Sequence, residues 1–151
     1  MIMWNKKDFR LDKKAVENLI PHREPFLLVD SAEIVEAGRR IHAEVYVSPG
    51  WEVFKGHFPG DPVLPGVYAI ESAGQAAVLL VMDDDRHKGK IPFLYGADNV
   101  RFFKPVRPGD TMHIVAEMKN ENTERDLIGF HCEAYVEGVM CSCADITVAI
   151  R

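Results

Sequence analysis

The sequence predicts an α+β fold in which a curved antiparallel β-sheet wraps around one long central helix. Residues 66–82 contain no proline and are apolar on nearly every side, which is typical of a buried helix. Segments rich in β-branched and aromatic residues lie before and after this helix. Because no repeat, low-complexity tract or linker interrupts the 151 residues, we expect a single domain spanning residues 1–151.

The first third of the chain predicts a short helix followed by a hairpin. Residues 11–20 form an amphipathic helical pattern, with Asp12 as the N-cap. The two following segments, residues 25–36 and 40–47, have the composition of strands. They flank a turn that contains Gly38, as expected of a β-hairpin.

The long helix follows a loop, and three or four strands follow the helix. Residues 48–65 are rich in glycine and proline and therefore predict the loop. Gly74 lies inside the helix, where a glycine costs about 1 kcal/mol, so we expect another group to approach closely there. The strand segments after the helix are residues 91–103, 111–119, 126–138 and 139–150.

Composition and charge exclude several classes of function. The formal net charge of −5 gives no basic field that would favour nucleic acid. The longest apolar run, residues 76–82, is far shorter than the ~18 residues of a membrane span. The N-terminal segment MIMWNKKDFR becomes charged too early for a signal peptide. With three cysteines and no C-x-x-C spacing, we expect a reduced, cytoplasmic protein.

Glu71 is a carboxylate inside the predicted buried helix. An unpaired ionised carboxylate in an apolar site costs several kcal/mol, so either its pKa rises or it has a partner. A general acid that acts near neutral pH is made in this way. Gln75 lies four residues further along the same helix face and could hold the carboxyl group by a hydrogen bond. The alternative is that Glu71 faces solvent or a subunit interface.

His57 and Gly66 lie close to Glu71 in sequence. His57 lies in the proline-rich loop, and its imidazole could act as a general base; the alternative is an ordinary surface histidine. Gly66 lies where the helix begins, so its free N–H could stabilise an oxyanion, although a tight turn also favours glycine. The remaining histidines are interpreted as structural: His22, His42, His87, His113 and His131.

Three motifs resemble those of one enzyme family. GHFPGDPVLPGVYAIE (residues 56–71), IPHREPFLLVD (residues 20–30) and VRFFKPVRPGD (residues 100–110) occur in order along the chain. Together they closely resemble the 3-hydroxyacyl-[acyl-carrier-protein] dehydratases of bacterial type II fatty acid synthesis, the FabZ-type enzymes. The resemblance covers most of the chain and implies the hot-dog fold, which agrees with the predicted sheet and helix.

The resemblance implies that His57 and Glu71 are the catalytic pair. One subunit of a dimer would supply the histidine and the other the carboxylate. The implied reaction is dehydration of a (3R)-3-hydroxyacyl thioester to the trans-2-enoyl thioester. His57 would remove the proton at C2, Glu71 would protonate or orient the 3-hydroxyl group, and the Gly66 N–H would polarise the thioester carbonyl. The resemblance implies no metal and no redox cofactor.

The implied partner is acyl carrier protein, which presents the substrate on a phosphopantetheine arm. The cluster Arg101, Lys104 and Arg107 could dock this acidic protein, or could be a solvated strand edge. The resemblance also implies a homodimer as the minimal unit and a hexamer built from three dimers. Candidates for lining an apolar tunnel, with Tyr95 as a gate, are Phe58, Val67, Ile70, Phe93, Tyr95 and Phe102.

The sequence departs from the family pattern at two places, and two other functions remain open. With Asp61, the GHFPGDP motif resembles that of the related bifunctional dehydratase/isomerase. That branch has aspartate at the helix position, so Glu71 favours the dehydratase-only branch. Ser72 and Gly74 differ from the more usual sequence of the family and could change the preference for acyl chain length.

The alternative functions are a hot-dog thioesterase or enoyl-CoA hydratase, and a non-catalytic module that binds acyl thioesters. The cysteines match no metal-ligand set.

Overall fold

The computed structural model describes residues 10–151. Residues 1–9 lie outside the described residues. They include the predicted start of the domain and most of the N-terminal segment that was judged too charged for a signal peptide. The helices and strands are β1 (Arg10–Leu11), α1 (Lys13–Leu19), β2 (Ser31–Glu36), β3 (Arg40–Tyr46), α2 (Gly66–Met82), β4 (Pro92–Phe102), β5 (Thr111–Asn122), β6 (Leu127–Val136) and β7 (Val139–Ile150). Over the described part of the chain, the strands form one antiparallel sheet in the order β1-β2-β3-β5-β6-β7-β4.

Helix α1 and the β2–β3 hairpin confirm the predictions for the first third, except that Leu11 belongs to strand β1 instead of the predicted helix and that residues 25–30 are not a strand. The Asp12 carboxylate accepts a hydrogen bond from the Ala15 N–H at 2.9 Å, which caps α1, and Gly38 takes a positive φ in the hairpin turn. The prediction of a strand over residues 25–30 is wrong, because β2 begins only at Ser31. The N–H groups of Leu28 and Val29 face the Gln75 side chain instead of a neighbouring strand.

Helix α2 is the core of the fold, as predicted, and it packs against strands of the surrounding sheet. Its C-terminal half is buried on all sides. Its N-terminal half leaves a stripe at helical spacing that this chain buries only in part: Val67, Ile70, Glu71 and Gly74. The close approach expected at Gly74 is not made by any described residue, since a Cβ built there meets no atom within 4 Å.

Strand β4 forms one edge of the sheet, because only β7 pairs with it among the described strands. Its register with β7 shifts between Leu94 and Gly96, so Tyr95 is the extra residue of a β-bulge. A second shift lies between Asp98 and Arg101, where Asn99 has a positive φ. The strand is long, apolar and half exposed, which is the kind of edge that pairs with another chain.

On the outer face of the sheet, a row of charged side chains runs across neighbouring strands. His131 lies directly opposite Asp145 on β7, and Glu117 lies opposite His131 on β5. The two imidazole nitrogens of His131 lie 2.8 Å from the Asp145 carboxylate and 3.1 Å from that of Glu133. The hydrogen bond to Asp145 raises the pKa of His131 and that to Glu133 adds to it, although partial burial opposes both.

The raised pKa of His131 predicts a pH-dependent contribution to stability. The folded protein binds this proton more tightly than the unfolded chain, whose histidine pKa is about 6.5. The contribution is therefore complete below about pH 6.5 and is lost as the pH rises through the folded pKa. We expect the melting temperature of the wild type to fall more steeply than that of His131→Gln over this range. His42→Gln, on the same face, is the control, and parallel curves for wild type and His131→Gln would contradict the prediction.

Candidate active site

The loop before α2 holds His57 by two hydrogen bonds to Val63. The Val63 N–H donates to the His57 carbonyl at 3.0 Å, and His57 Nδ1 lies 2.7 Å from the Val63 carbonyl oxygen. Because a carbonyl can only accept, Nδ1 carries the proton. Nε2 of the neutral ring therefore has a lone pair, and no described residue hydrogen-bonds to it. The arrangement fixes the tautomer that a general base requires.

This loop is tied to the segment between β4 and β5. The Arg107 guanidinium lies 2.8 Å from the Asp61 carboxylate and 3.2 Å from the Pro62 carbonyl oxygen. The Leu64 N–H donates to the Val106 carbonyl at 2.8 Å. The sequence predicts Arg107 in a basic docking cluster with Arg101 and Lys104. In the structure Arg107 instead forms an ion pair with Asp61 of the same chain. The sequence shows the two charged residues but not their pairing.

Glu71 lies on the partly buried stripe of α2, and its side chain is 24% exposed. Its Oε1 accepts a hydrogen bond from Gln75 Nε2 at 2.9 Å, as the spacing of four residues predicts. His22 Nε2 lies 3.7 Å from the same oxygen. Sequence reasoning interpreted His22 as structural and missed this contact; only its place in the motif of residues 20–30 could have indicated it.

Gln75 is 1% exposed and uses its whole amide group. Its Oε1 accepts from the N–H of Leu28 at 2.9 Å and from that of Val29 at 3.4 Å. Its Nε2 donates to the Phe26 carbonyl at 2.8 Å, besides the bond to Glu71. One side chain therefore joins the loop before β2 to helix α2 and to the Glu71 carboxylate.

Gly66 begins α2 beside an apolar pocket of about 430 Å³. The first amides of a helix have no acceptor within it, so the N–H groups of Gly66 and Val67 can bind an anion or carbonyl oxygen. A Cβ at Gly66 would lie 2.7 Å from the Phe102 ring, which explains the glycine. The pocket is lined in part by Gly66, Val67, Phe102, Lys104, Cys141 and Ser142.

The described residues of one chain do not bring all the predicted site residues together. No hydrogen bond or ion pair between residues 10 and 151 joins His57 to Glu71. Tyr95 is 56% exposed on the edge strand, where its hydroxyl lies 3.4 Å from Arg125. Of the predicted tunnel residues, Val67 and Phe102 line the pocket beside Gly66. The others do not: Phe58, Ile70, Phe93 and Tyr95.

Comparison with known proteins places the chain in a family. A family model described as a FabA-like domain matches residues 20–144. The 3-hydroxyacyl-[acyl-carrier-protein] dehydratase FabZ of Lactobacillus helveticus is 37% identical over 142 residues, which cover 93% of each chain. FabZ of Caldicellulosiruptor saccharolyticus is 38% identical over 141 residues, covering 93% of this chain and 99% of that protein. The chain belongs to the FabA-like family. The resemblance to FabZ-type dehydratases is thereby confirmed.

A solved structure confirms the fold of this FabA-like chain. The dehydratase heterocomplex ApeI:P from Xenorhabdus doucetiae matches with a TM-score of 0.74 over 90% of both chains, at 20% identity. At this identity the likeness shows the fold alone. The predicted hot-dog fold, a curved antiparallel sheet around one long helix, is therefore confirmed.

The described residues show no disulfide, metal-binding cluster or membrane-spanning helix. The three cysteines are unpaired thiols, and burial raises the pKa of Cys132 to about 12, so this thiol is protonated and unreactive. Across residues 10–151, no group of three or more histidine, cysteine, aspartate or glutamate residues is arranged to hold a metal ion. Within the same range, no helix is long and apolar enough to cross a membrane.

We predict that Gln75→Leu costs about 2–4 kcal/mol of unfolding free energy, because it leaves buried N–H and C=O groups without partners. Ser72→Ala is the matched control. Ser72 is fully buried on the same helix, but its hydroxyl bonds only to the Tyr68 carbonyl one turn earlier. Urea unfolding measures both variants. An equal cost for the two would show that the Gln75 network is not a major source of stability.

Proposed function

We propose that this chain dehydrates (3R)-3-hydroxyacyl-[acyl-carrier-protein] to the trans-2-enoyl form in type II fatty acid biosynthesis. The observation that carries the proposal is the geometry of His57, whose Nδ1–H is committed to the Val63 carbonyl so that Nε2 is the nitrogen left to act as the base. The FabZ dehydratases that match over 93% of the chain support the same reaction. The fold by itself would not decide the function.

Each step of the reaction has a group suited to it. His57 Nε2 takes the proton from C2, and the electrons of that C–H bond form the C2–C3 double bond. The C3–O bond breaks, and the leaving hydroxyl becomes water with a proton supplied by Glu71, or by His57 while Glu71 orients the hydroxyl. The N–H groups of Gly66 and Val67 stabilise the negative charge on the thioester oxygen. The reaction is redox-neutral.

The active unit in this proposal is a homodimer, with three dimers forming a hexamer. Two surfaces of the chain support the dimer: the stripe of α2 that contains Val67, Glu71 and Gly74, and the apolar edge strand β4. Burial of both against a second copy would complete the sheet edge and remove exposed apolar area from water. It would also bring Glu71 of one chain towards His57 of the other.

Acyl carrier protein is the proposed partner. This chain carries a net charge of −5, so an acidic partner needs a local basic patch. Lys104 lines the pocket at the start of α2, and Arg101 lies nearby on β4. Because Arg107 is already paired with Asp61, we assign the docking charge to Lys104 and Arg101. The substrate arm would enter beside Gly66, and Phe58, Val67 and Tyr95 would contact it as the two chains meet.

The cellular setting and the domain extent complete the proposal. We place the protein in the cytoplasm, which agrees with three unpaired thiols in the described residues. We assign residues 1–151 to one hot-dog dehydratase domain, of which residues 10–151 are described.

The decisive assay supplies (3R)-3-hydroxyacyl-[acyl-carrier-protein] of several chain lengths and follows loss of water by mass spectrometry. We expect an equilibrium mixture with the enoyl form. Glu71→Gln and His57→Ala should each abolish turnover while the fold and oligomer persist, whereas His42→Ala on the outer sheet face should not. Hydrolysis to the free acid would indicate a thioesterase instead. Binding without conversion would indicate a non-catalytic module, and loss of the oligomer would make the residue structural.

A second experiment tests whether the site is shared between chains. Inactive His57→Ala and Glu71→Gln proteins are mixed and allowed to exchange subunits. If each site takes one residue from each chain, a mixed dimer has one intact site, and random exchange restores about a quarter of wild-type activity. No recovery after exchange, verified by native mass spectrometry, would place both residues in sites within a single chain.

A further inference from the structure

His22 is a partly buried histidine whose side chain faces the Glu71 carboxylate. It lies in the turn after α1, where the Arg23 guanidinium donates to the carbonyls of Ile20 and His22 at 2.9 and 2.6 Å and fixes the backbone. The side chain is 20% exposed, and Nε2 lies 3.7 Å from Glu71 Oε1. Nδ1 is buried and has no hydrogen-bond partner among residues 10–151.

The surroundings of His22 keep its ring neutral. Burial lowers the pKa of His22, Glu71 partly opposes this effect, and Arg23 adds to it. A neutral imidazole has one N–H, and the free energy is lower when that N–H faces a carboxylate than when it is buried without an acceptor. The proton therefore lies on Nε2, which faces Glu71. The 3.7 Å separation is longer than a hydrogen bond, and such contacts often tighten when a catalytic site is complete.

Oε1 of Glu71 thus accepts one hydrogen bond and faces the N–H of a second side chain. Gln75 Nε2 donates to Oε1 at 2.9 Å, and His22 Nε2 faces Oε1. No described residue between 10 and 151 hydrogen-bonds to Oε2. An oxygen that receives N–H groups is the acceptor oxygen of a carboxyl group, so a proton on Glu71 resides on the other oxygen.

We propose that His22 is a positioning residue which, together with Gln75, reserves Oε1 of Glu71 as an acceptor and directs the acidic proton to Oε2. This inference rests on the proposed role of Glu71 at the substrate hydroxyl. Its consequence is that the carboxyl group delivers or orients a proton in one direction only. Rotation of the carboxyl group, which would exchange the two oxygens, would break the bond to Gln75 and the contact with His22.

The test compares two polar replacements that differ in which imidazole nitrogen they imitate. The side-chain amide of glutamine places an N–H near the position of Nε2, whereas that of asparagine places it near Nδ1. We expect His22→Gln to retain most of kcat. We expect His22→Asn and His22→Leu to lose about 10- to 100-fold in kcat with little change in KM, because the acid is misplaced rather than the substrate unbound.

His87→Leu is the matched control, because His87 also has a buried Nδ1 without a partner but lies in a short 3₁₀ helix after α2. Circular dichroism and gel filtration verify the fold of each variant; if the leucine variant fails to fold, the glutamine–asparagine pair decides. Equal kcat for glutamine and asparagine variants would overturn the proposal. So would a ¹⁵N NMR spectrum of wild-type protein that places the His22 proton on Nδ1.

The design separates this inference from the proposed function. If Glu71→Gln is inactive but His22→Leu has normal kcat, the dehydratase assignment stands and the positioning role is wrong. If Glu71→Gln remains active, the proposed function itself fails, and the inference fails with it.

Discussion

The site and the fold depend together on the buried amide of Gln75. Its four hydrogen bonds reach the loop at Phe26, Leu28 and Val29, and the carboxylate of Glu71. A buried amide with all four groups satisfied stabilises one arrangement of its neighbours, because any shift leaves a polar group unpaired in the core. The loop before β2 and the candidate acid on α2 therefore keep a fixed relation, and the loop also carries His22 to Glu71.

The chain stabilises its two candidate catalytic groups by different means. His57 is fixed locally, through Val63 only six residues away, in a loop that the Asp61–Arg107 ion pair joins to the next part of the sheet. Glu71 is fixed by long-range contacts, through Gln75 and the segment before β2. Neither contact network includes the other residue. A single chain therefore positions His57 and Glu71 separately. In the proposed mechanism, a second copy of the chain is needed to bring the two groups together in one site.

Two of the errors of sequence reasoning have a common physical cause. Residues 25–30 have strand composition, yet the N–H groups of Leu28 and Val29 bond to the side chain of Gln75, which is distant in sequence and which no local pattern reports. Gly74 indicated a close approach, but within the described residues that surface is open. His22 has no distinctive spacing relative to Glu71, because the two residues meet only after the turn folds against α2. For Leu28, Val29 and His22 the deciding partner is distant in sequence, whereas none of the described residues covers Gly74.

The sequence by itself determined the order of the elements from α1 onward, the buried helix, the hydrogen bond from Gln75 to Glu71 and the hot-dog dehydratase family. These features follow from local periodicity, from spacing of four residues on a helix, and from contiguous motifs. Only the tertiary structure decided which ring nitrogen of His57 is free, that Arg107 forms an ion pair with Asp61, and that His22 faces the Glu71 carboxylate. Those outcomes depend on which groups the folded backbone brings within about 3–4 Å of one another.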